Sequence, residues 1–253
     1  MRPSQSGQQL RTPQLINKTR QIDTYLKTLS TGQLASAMHL SPELAKTTRA
    51  KIAAWTDDPA VQTQAIDCFI GDIYSGLRAN KMSESDRDYA DKTLRILSGL
   101  YGILRPYDGV YPYRLEMGYK FPDPRFASLY QFWGDAVAKC LPATGTIVNT
   151  SSEEFMGVIK PFVDASRIIT PVFLTIDPST HLPAFRTVHA KIARGAFARW
   201  LIVSQVTDPA QFAHFADLGY HFSHELSTPN RPTFVCETFD GKGLSMKTGP
   251  KKA

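Results

Sequence analysis

Apolar residues between positions 15 and 29 recur every three or four residues, the spacing that gathers one face of an α-helix, and a weaker repeat of the same kind covers positions 31–40. Ser41-Pro42-Glu43-Leu44 then reads as an N-cap followed by proline at the first helical position, opening a helix that runs to Trp55. The run "AIDCFIGDIYSGL", from Ala65 to Leu77, predicts a buried strand ending at Gly71, with Asp72 capping a short helix. A further helix is predicted over 82–97, signalled by Ser85 with Asp88 three residues on, in the manner of a capping box. Downstream, the pattern predicts helices over 128–140 and 190–205, and strands over 146–149, 168–176, 183–188, 220–224 and 233–239. Helices and strands interleave without a regular beat, which defines a mixed α/β fold. Residues 1–12 read as a loose polar arm, 13–245 as a single domain and 246–253 as a frayed tail.

Composition supports one sizeable body: 253 residues at 42% apolar content can bury an ample core. No run approaches the roughly 18 apolar residues of a membrane span, and "MRPSQSGQQLRTPQ" lacks the apolar centre of a secretory signal. The expectation is a soluble, cytoplasmic protein with no membrane partner. Cys68, Cys140 and Cys236 are odd in number, far apart and set in apolar runs, which favours reduced core thiols over a disulfide framework or zinc knuckle. His214, His221, His224 and Glu225 do not form a convincing metal set, because His221 and His224 point to opposite faces of a strand. No metal and no cofactor are expected, and Walker, dinucleotide and nucleophile-elbow signatures are absent. The formal charge of +6 favours polyanion partners only if the cations are gathered in one place.

One stretch is unlike the rest. "LSGLYGILRPYDGVYPYRLEMG", Leu97 to Gly118, holds four glycines, two prolines and four tyrosines around Arg105, Arg114 and Glu116. Its first part, Ser98 to Gly102, reads either as a phosphate-gripping turn between two helices, exposing backbone N–H groups at Ser98, Gly99 and Gly102, or as a tight packing turn. The second part alternates, placing Tyr113, Leu115 and Met117 on one face of a strand and Arg114 and Glu116 on the other. That pair is either an ion pair at a rim or the wall of a polar pocket. Asn149 at a strand end, followed by Ser151, Ser152, Glu153 and Glu154 opening a helix, is either a capped helix start or a ligand site. In the second case Glu154 or Glu116 acts as general acid or base, beside Arg114 and Asn149. Finally, no Asp or Glu lies between Pro178 and Thr207, where Lys191, Arg194 and Arg199 share an arc with Gly195 and Ala198. Small residues between cations would admit a nucleic-acid phosphate; a solvated helix face is the plainer alternative.

The stretch from Leu97 to Gly118, with "GDIYSGL" before it and "LYQFWGD", "PVFL" and "ARG" after it, resembles the YaaA peroxide-stress family in motif order over well over half of the chain. The resemblance implies a single-domain α/β fold described as cantaloupe-like, with a helix-hairpin-helix element, a positive cleft, binding of duplex or distorted DNA and a role in limiting peroxide damage. It places the hairpin on Ser98, Gly99, Leu100, Tyr101 and Gly102, followed by Arg105 and Pro106, and further motifs on Arg114 to Gly118 and on Asn149, Ser152, Glu153, Glu154 and Phe155. Three departures reduce the charge of that cleft. The family's opening Ser-Pro-Ala-Lys has no counterpart, a Lys-Lys-Ala-Arg-Gly run is here Lys191-Ile192-Ala193-Arg194-Gly195, and a Phe-Lys-Arg ending is replaced by "TFVCETF". Two functions follow as expectations: a DNA-binding protein using Ser98, Gly99, Gly102, Arg105, Lys191, Arg194 and Arg199, or an enzyme acting on a small anionic, nucleobase-like or amino-acid-like metabolite with Arg114, Glu116, Asn149 and Glu154.

Overall fold

Helical repeats at the front of the chain form as spaced. In the computed structural model, which describes residues 10–246, α1 (Ile16–Thr28) buries Thr19, Ile22, Asp23 and Leu26 at intervals of three and four. α2 (Thr31–Ala37) opens on a capping box between Ser30 and Gln33, and α3 (Pro42–Ala54) opens on Ser41, whose Oγ accepts from Leu44 N at 3.3 Å, with Pro42 at its first position. The remaining helices are α4 (Ala65–Cys68), α5 (Asp72–Leu77), α6 (Glu84–Thr93), α7 (Leu129–Trp133), α8 (Glu153–Met156) and α9 (Thr187–Val203). The strands are β1 (Thr63–Gln64), β2 (Ile96–Ser98), β3 (Gly102–Leu104), β4 (Gly109–Val110), β5 (Ile147–Val148), β6 (Ile168–Ile169), β7 (Val172–Ile176), β8 (Pro183–Ala184), β9 (Tyr220–Phe222) and β10 (Thr233–Cys236). The fold is mixed α/β with small sheets.

The chain forms two compact units, each assembled from separate stretches of sequence. The first comprises the described part of Met1–Cys68 with Leu94–Ala143 and Ser152–Val163. It packs α1, α2 and α3 with two small antiparallel pairs, β1 with β4 and β2 with β3. The second comprises Phe69–Thr93, Thr144–Ser151 and the described part of Asp164–Ala253. Its sheet runs β8-β7-β10-β9, with β10 parallel to β7 and antiparallel to β9. α9 covers that sheet through a phenylalanine core in which Phe173 stacks on Phe234 at 5.2 Å and Phe197 meets Phe215 edge-on at 5.1 Å. α5 lies against α9 because Gly76 and Gly195 carry no Cβ: one added at either would strike a backbone carbonyl of the other helix.

Several expectations are corrected. The apolar run from Ala65 forms the single helical turn α4 rather than a strand, since short apolar runs fit either state. Gly71, at φ 142°, is the N-cap of α5, and Asp72 is its first residue, accepting from Met246 N at 3.0 Å. α6 stops at Thr93, and its box joins Ser83 to Asp86, with Asp86 N donating to Ser83 Oγ and Ser83 N donating to Asp86 Oδ2. The helix expected over 128–140 is one short helix, α7, closed by Gly134 at φ 52° and followed by a 3-10 turn. Most consequential is the bend at 98–102. Its flanks are the paired strands β2 and β3, with Ser98 opposite Gly102, so the element is a β-hairpin and not a helix-hairpin-helix. Gly102, at φ 70°, supplies the left-handed step that brings the chain back. Tyr113 to Met117 keeps the expected alternation, with Leu115 and Met117 buried and Glu116 exposed, but it is extended chain outside the named strands.

Of the expected amino-terminal arm, Arg11 is held: its N donates to Tyr107 O at 3.1 Å and Gly109 N donates to its carbonyl at 2.8 Å. The rest of the arm up to residue 9, and the tail from 247, lie outside the described residues.

Candidate functional site

The hairpin that the sequence offered as a phosphate grip has its polar groups turned inward. Ser98 is 1% exposed; its Oγ accepts from Tyr101 N at 2.8 Å and meets Tyr113 Oη at 2.6 Å. Trp133 Nε1 donates to Gly99 O at 3.2 Å, and a Cβ on Gly99 would press on the Leu115 carbonyl. The hairpin therefore serves as a floor on which the Tyr113 to Met117 segment rests. Arg105 is also engaged: its Nε donates to Asp108 Oδ1 at 3.0 Å and its Nη2 to Thr12 O at 3.3 Å. Asp108 is fully buried, and its burial raises its carboxyl above the usual range despite the arginine partners.

With Leu115 and Met117 locked into the core, the intervening polar residues are presented on the other side. Arg114 Nη2 lies 3.5 Å from Glu116 Oε1, an ion pair with both side chains partly exposed. Tyr119 hydrogen-bonds to both; burial foremost, and then the Glu116 charge, push its phenol up, while Arg114 draws it down. Gly118 N donates to Glu154 Oε1 at 2.9 Å, and Tyr130 Oη donates to the Glu154 carbonyl at 2.9 Å, fixing α8 against the segment. Arg114, Glu116 and Glu154, three of the four residues read as catalytic, are thus gathered along a few residues of the first unit.

Asn149, the fourth, belongs to the second unit and is 5% exposed. Its Oδ1 accepts from Ser151 N at 3.0 Å and from Ser151 Oγ at 2.8 Å, and its Nδ2 donates to Thr170 Oγ1 at 3.3 Å, which makes it the hinge of a tight turn after β5. Two cations of the basic arc of α9 have neighbours within the second unit. Gly195 and Ala198 are buried, with Gly195 against α5; Arg194 Nη1 donates to Ser151 O at 3.3 Å, and Arg199 stands close enough to Asp86 to help lower that carboxyl, behind the Ser83 hydrogen bonds. Lys191 is exposed.

Two recesses flank the Arg114 segment. Arg114 lines a water-sized nook of about 10 Å³ with Asp23, Lys51, Trp55 and Tyr113. Arg114 Nε is buried without a hydrogen-bond acceptor. Asp23, 6% exposed and paired with Lys27 at 2.8 Å, has its carboxyl raised by burial, against the pull of that lysine. Beyond Gly118 opens a depression of about 500 Å³ lined by Gln33, Ser36, His39, Gly118, Lys120 and Pro122 among others. Asp23, His39, Tyr119 and Lys120 belong to no sequence motif; only Tyr119 and Lys120 carry a signal, as polar residues directly after Gly118.

Fold and site together describe a mixed α/β protein whose first unit presents an arginine-glutamate pair, Arg114 and Glu116, beside two recesses. The family model described as peroxide stress protein YaaA matches residues 1–226. A UPF0246 protein of Salinispora tropica is 56% identical over 248 residues, covering 98% of this chain and 94% of the relative. UPF0246 proteins of Roseobacter denitrificans and Ruegeria pomeroyi are 40% and 38% identical over 217 residues, covering 83% of this chain and 84% of each relative. The chain belongs to the YaaA peroxide stress protein family. Among its described residues no helix is long and apolar enough to cross a membrane.

Proposed function

We propose that this YaaA-family protein serves the peroxide-stress response by binding, and transforming, a small polar metabolite along the Arg114 to Lys120 segment of its first unit. The observation that carries this reading is the partly exposed Arg114–Glu116 pair, 3.5 Å apart on a segment whose apolar neighbours Leu115 and Met117 are buried. Arg114 and Glu116 offer a fork of donors and a carboxylate two residues apart, which suits a planar ligand bearing both acceptor and donor groups, such as a nucleobase-like or amino-acid-like compound. Glu154 keeps Gly118 in register, and Glu116 is the group placed to move a proton. Thermal unfolding of the wild type against a metabolite library tests this. A ligand that raises the midpoint of the wild type but not of Arg114→Gln or Glu116→Gln supports it; if both variants respond like the wild type to every compound, the reading is lost.

A second reading, DNA binding through a basic cleft, is favoured by the formal charge of +6 and the exposed Lys191. It leans on side chains rather than on hairpin amides. Were Lys191, Arg194 and Arg199 each to neutralise one phosphate, log affinity against log salt would slope by about −3. A flat response excludes it.

A further inference from the structure

We propose that the depression beside Gly118 is an oxyanion subsite, in which His39 and Lys120 hold the phosphate or carboxylate group of a small ligand. The proposal rests on the metabolite reading above in one respect: the ligand near Arg114 is taken to extend past Gly118. A volume of about 500 Å³ is within the range of small-molecule sites. The depression is open and lined by Lys120, His39, Ser36 and Gln33 beside Ala37, Gly118 and Pro122, with no acidic residue in the lining. Gln33 Oε1 already accepts from Ser30 N at 2.9 Å, so the end of that amide left to a ligand is its NH₂ donor. Glu154, which holds Gly118, is not among the lining residues. Among the described residues, neither the His39 ring nor Lys120 has a hydrogen-bond or ion-pair partner. A lysine, an imidazole, a hydroxyl and an amide around one space form a set of donors that an acceptor-rich group satisfies.

The backbone at His39 suits glycine as well as histidine. His39 follows Met38, the C-cap of α2, and has φ 52°, the left-handed position where helices most often place glycine. Leu40 N donates to Ala35 O at 2.9 Å and His39 N to Ser36 O at 3.4 Å, so the left-handed step at His39 closes α2, and glycine at this position would keep the cap.

Isothermal calorimetry and thermal unfolding of the full chain test the subsite, with inorganic phosphate and citrate as separate probes. Wild-type protein should bind at least one of them saturably, and the preferred probe distinguishes a phosphate ligand from a carboxylate one. Lys120→Gln should weaken that affinity at least about tenfold, the scale of one lost charged hydrogen bond. His39→Gly should weaken it comparably while leaving the unliganded midpoint unchanged or higher, because glycine relaxes the backbone. No saturable binding by the wild type, or affinities unchanged in either variant, overturns the proposal. Arg114→Gln separates it from the metabolite reading: affinity kept in that variant but lost in Lys120→Gln supports the subsite whatever Arg114 does, whereas a loss in Arg114→Gln alone overturns it.

Discussion

Gly76 on α5 and Gly195 on α9 interlock: a Cβ on the first would collide with the Ile192 carbonyl, and a Cβ on the second with the Ile73 carbonyl. Helix propensity taken alone says that alanine at either position stabilises by about 0.5–1 kcal/mol. The crossing reverses the sign, since backbone cannot step aside as a flexible side chain can. Gly195→Ala should lower stability by about 1–3 kcal/mol or more, read as a reduced urea midpoint, and Gly76→Ala should do the same.

Arg105 and Asp108 make a complementary case. With Asp108 fully buried and Arg105 its nearest cation at 2.9 Å, Asp108→Ala should cost about 1–3 kcal/mol by removing the acceptor of Arg105 N and of its guanidinium. Any loss of nucleic-acid affinity in Arg105→Ala should therefore track a lowered unfolding midpoint; a loss with the midpoint unchanged would restore Arg105 to the phosphate-binding set.

By contrast, the Arg114–Glu116 pair is half-exposed at 3.5 Å, and such pairs contribute about 0–1 kcal/mol. Arg114→Gln should unfold within about 1 kcal/mol of the wild type. A large destabilisation would mark Arg114 as a packing residue and leave the metabolite reading without its anchor.

His189 gives a pH prediction of definite sign. Burial, with Lys242 and Arg186 as lesser causes, lowers its pKa below 6.5, and its ring stacks on Phe239 at 4.0 Å while Nδ1 meets Thr175 Oγ1 at 3.0 Å. The folded state therefore binds the proton less readily than the unfolded chain. Its contribution is fully present above pH 6.5 and falls away as pH drops from there through the folded value. His189→Gln should flatten the slope of stability against pH in that window, measured by urea titrations at successive pH values.

Much of the fold was legible because local signals agreed with the final packing. Ser41-Pro42 and the three-four repeats place α1 and α3, and β5, β6, β7, β8, β9 and β10 each fall inside a predicted strand. The failures have physical causes. Ala65 to Cys68 is apolar enough for either state, and its neighbour β1 decides by pairing with β4, a partner more than forty residues away. The glycines at 99 and 102 announced a sharp bend, but whether helices or strands flank it depends on the pairing of Ile96 with Leu104 and on the cover supplied by Trp133. Likewise, the arc of small residues on α9 reads as open to a ligand until α5 is seen to occupy it. Arg114, Glu116 and Glu154 were visible through their motifs, whereas His39 and Lys120, some eighty residues apart, line one depression only through tertiary folding.

The hydrogen bonds that hold the hairpin also give the protein a built-in optical probe. Trp55 Nε1 donates to Tyr101 Oη at 2.9 Å and Trp133 Nε1 to Gly99 O at 3.2 Å, so two of the three indoles report on the first unit, while Trp200, beside Phe215, reports on the second. Replacing Trp200 with phenylalanine would leave emission that follows the hairpin alone, so the melting of that half could be recorded without any attached dye.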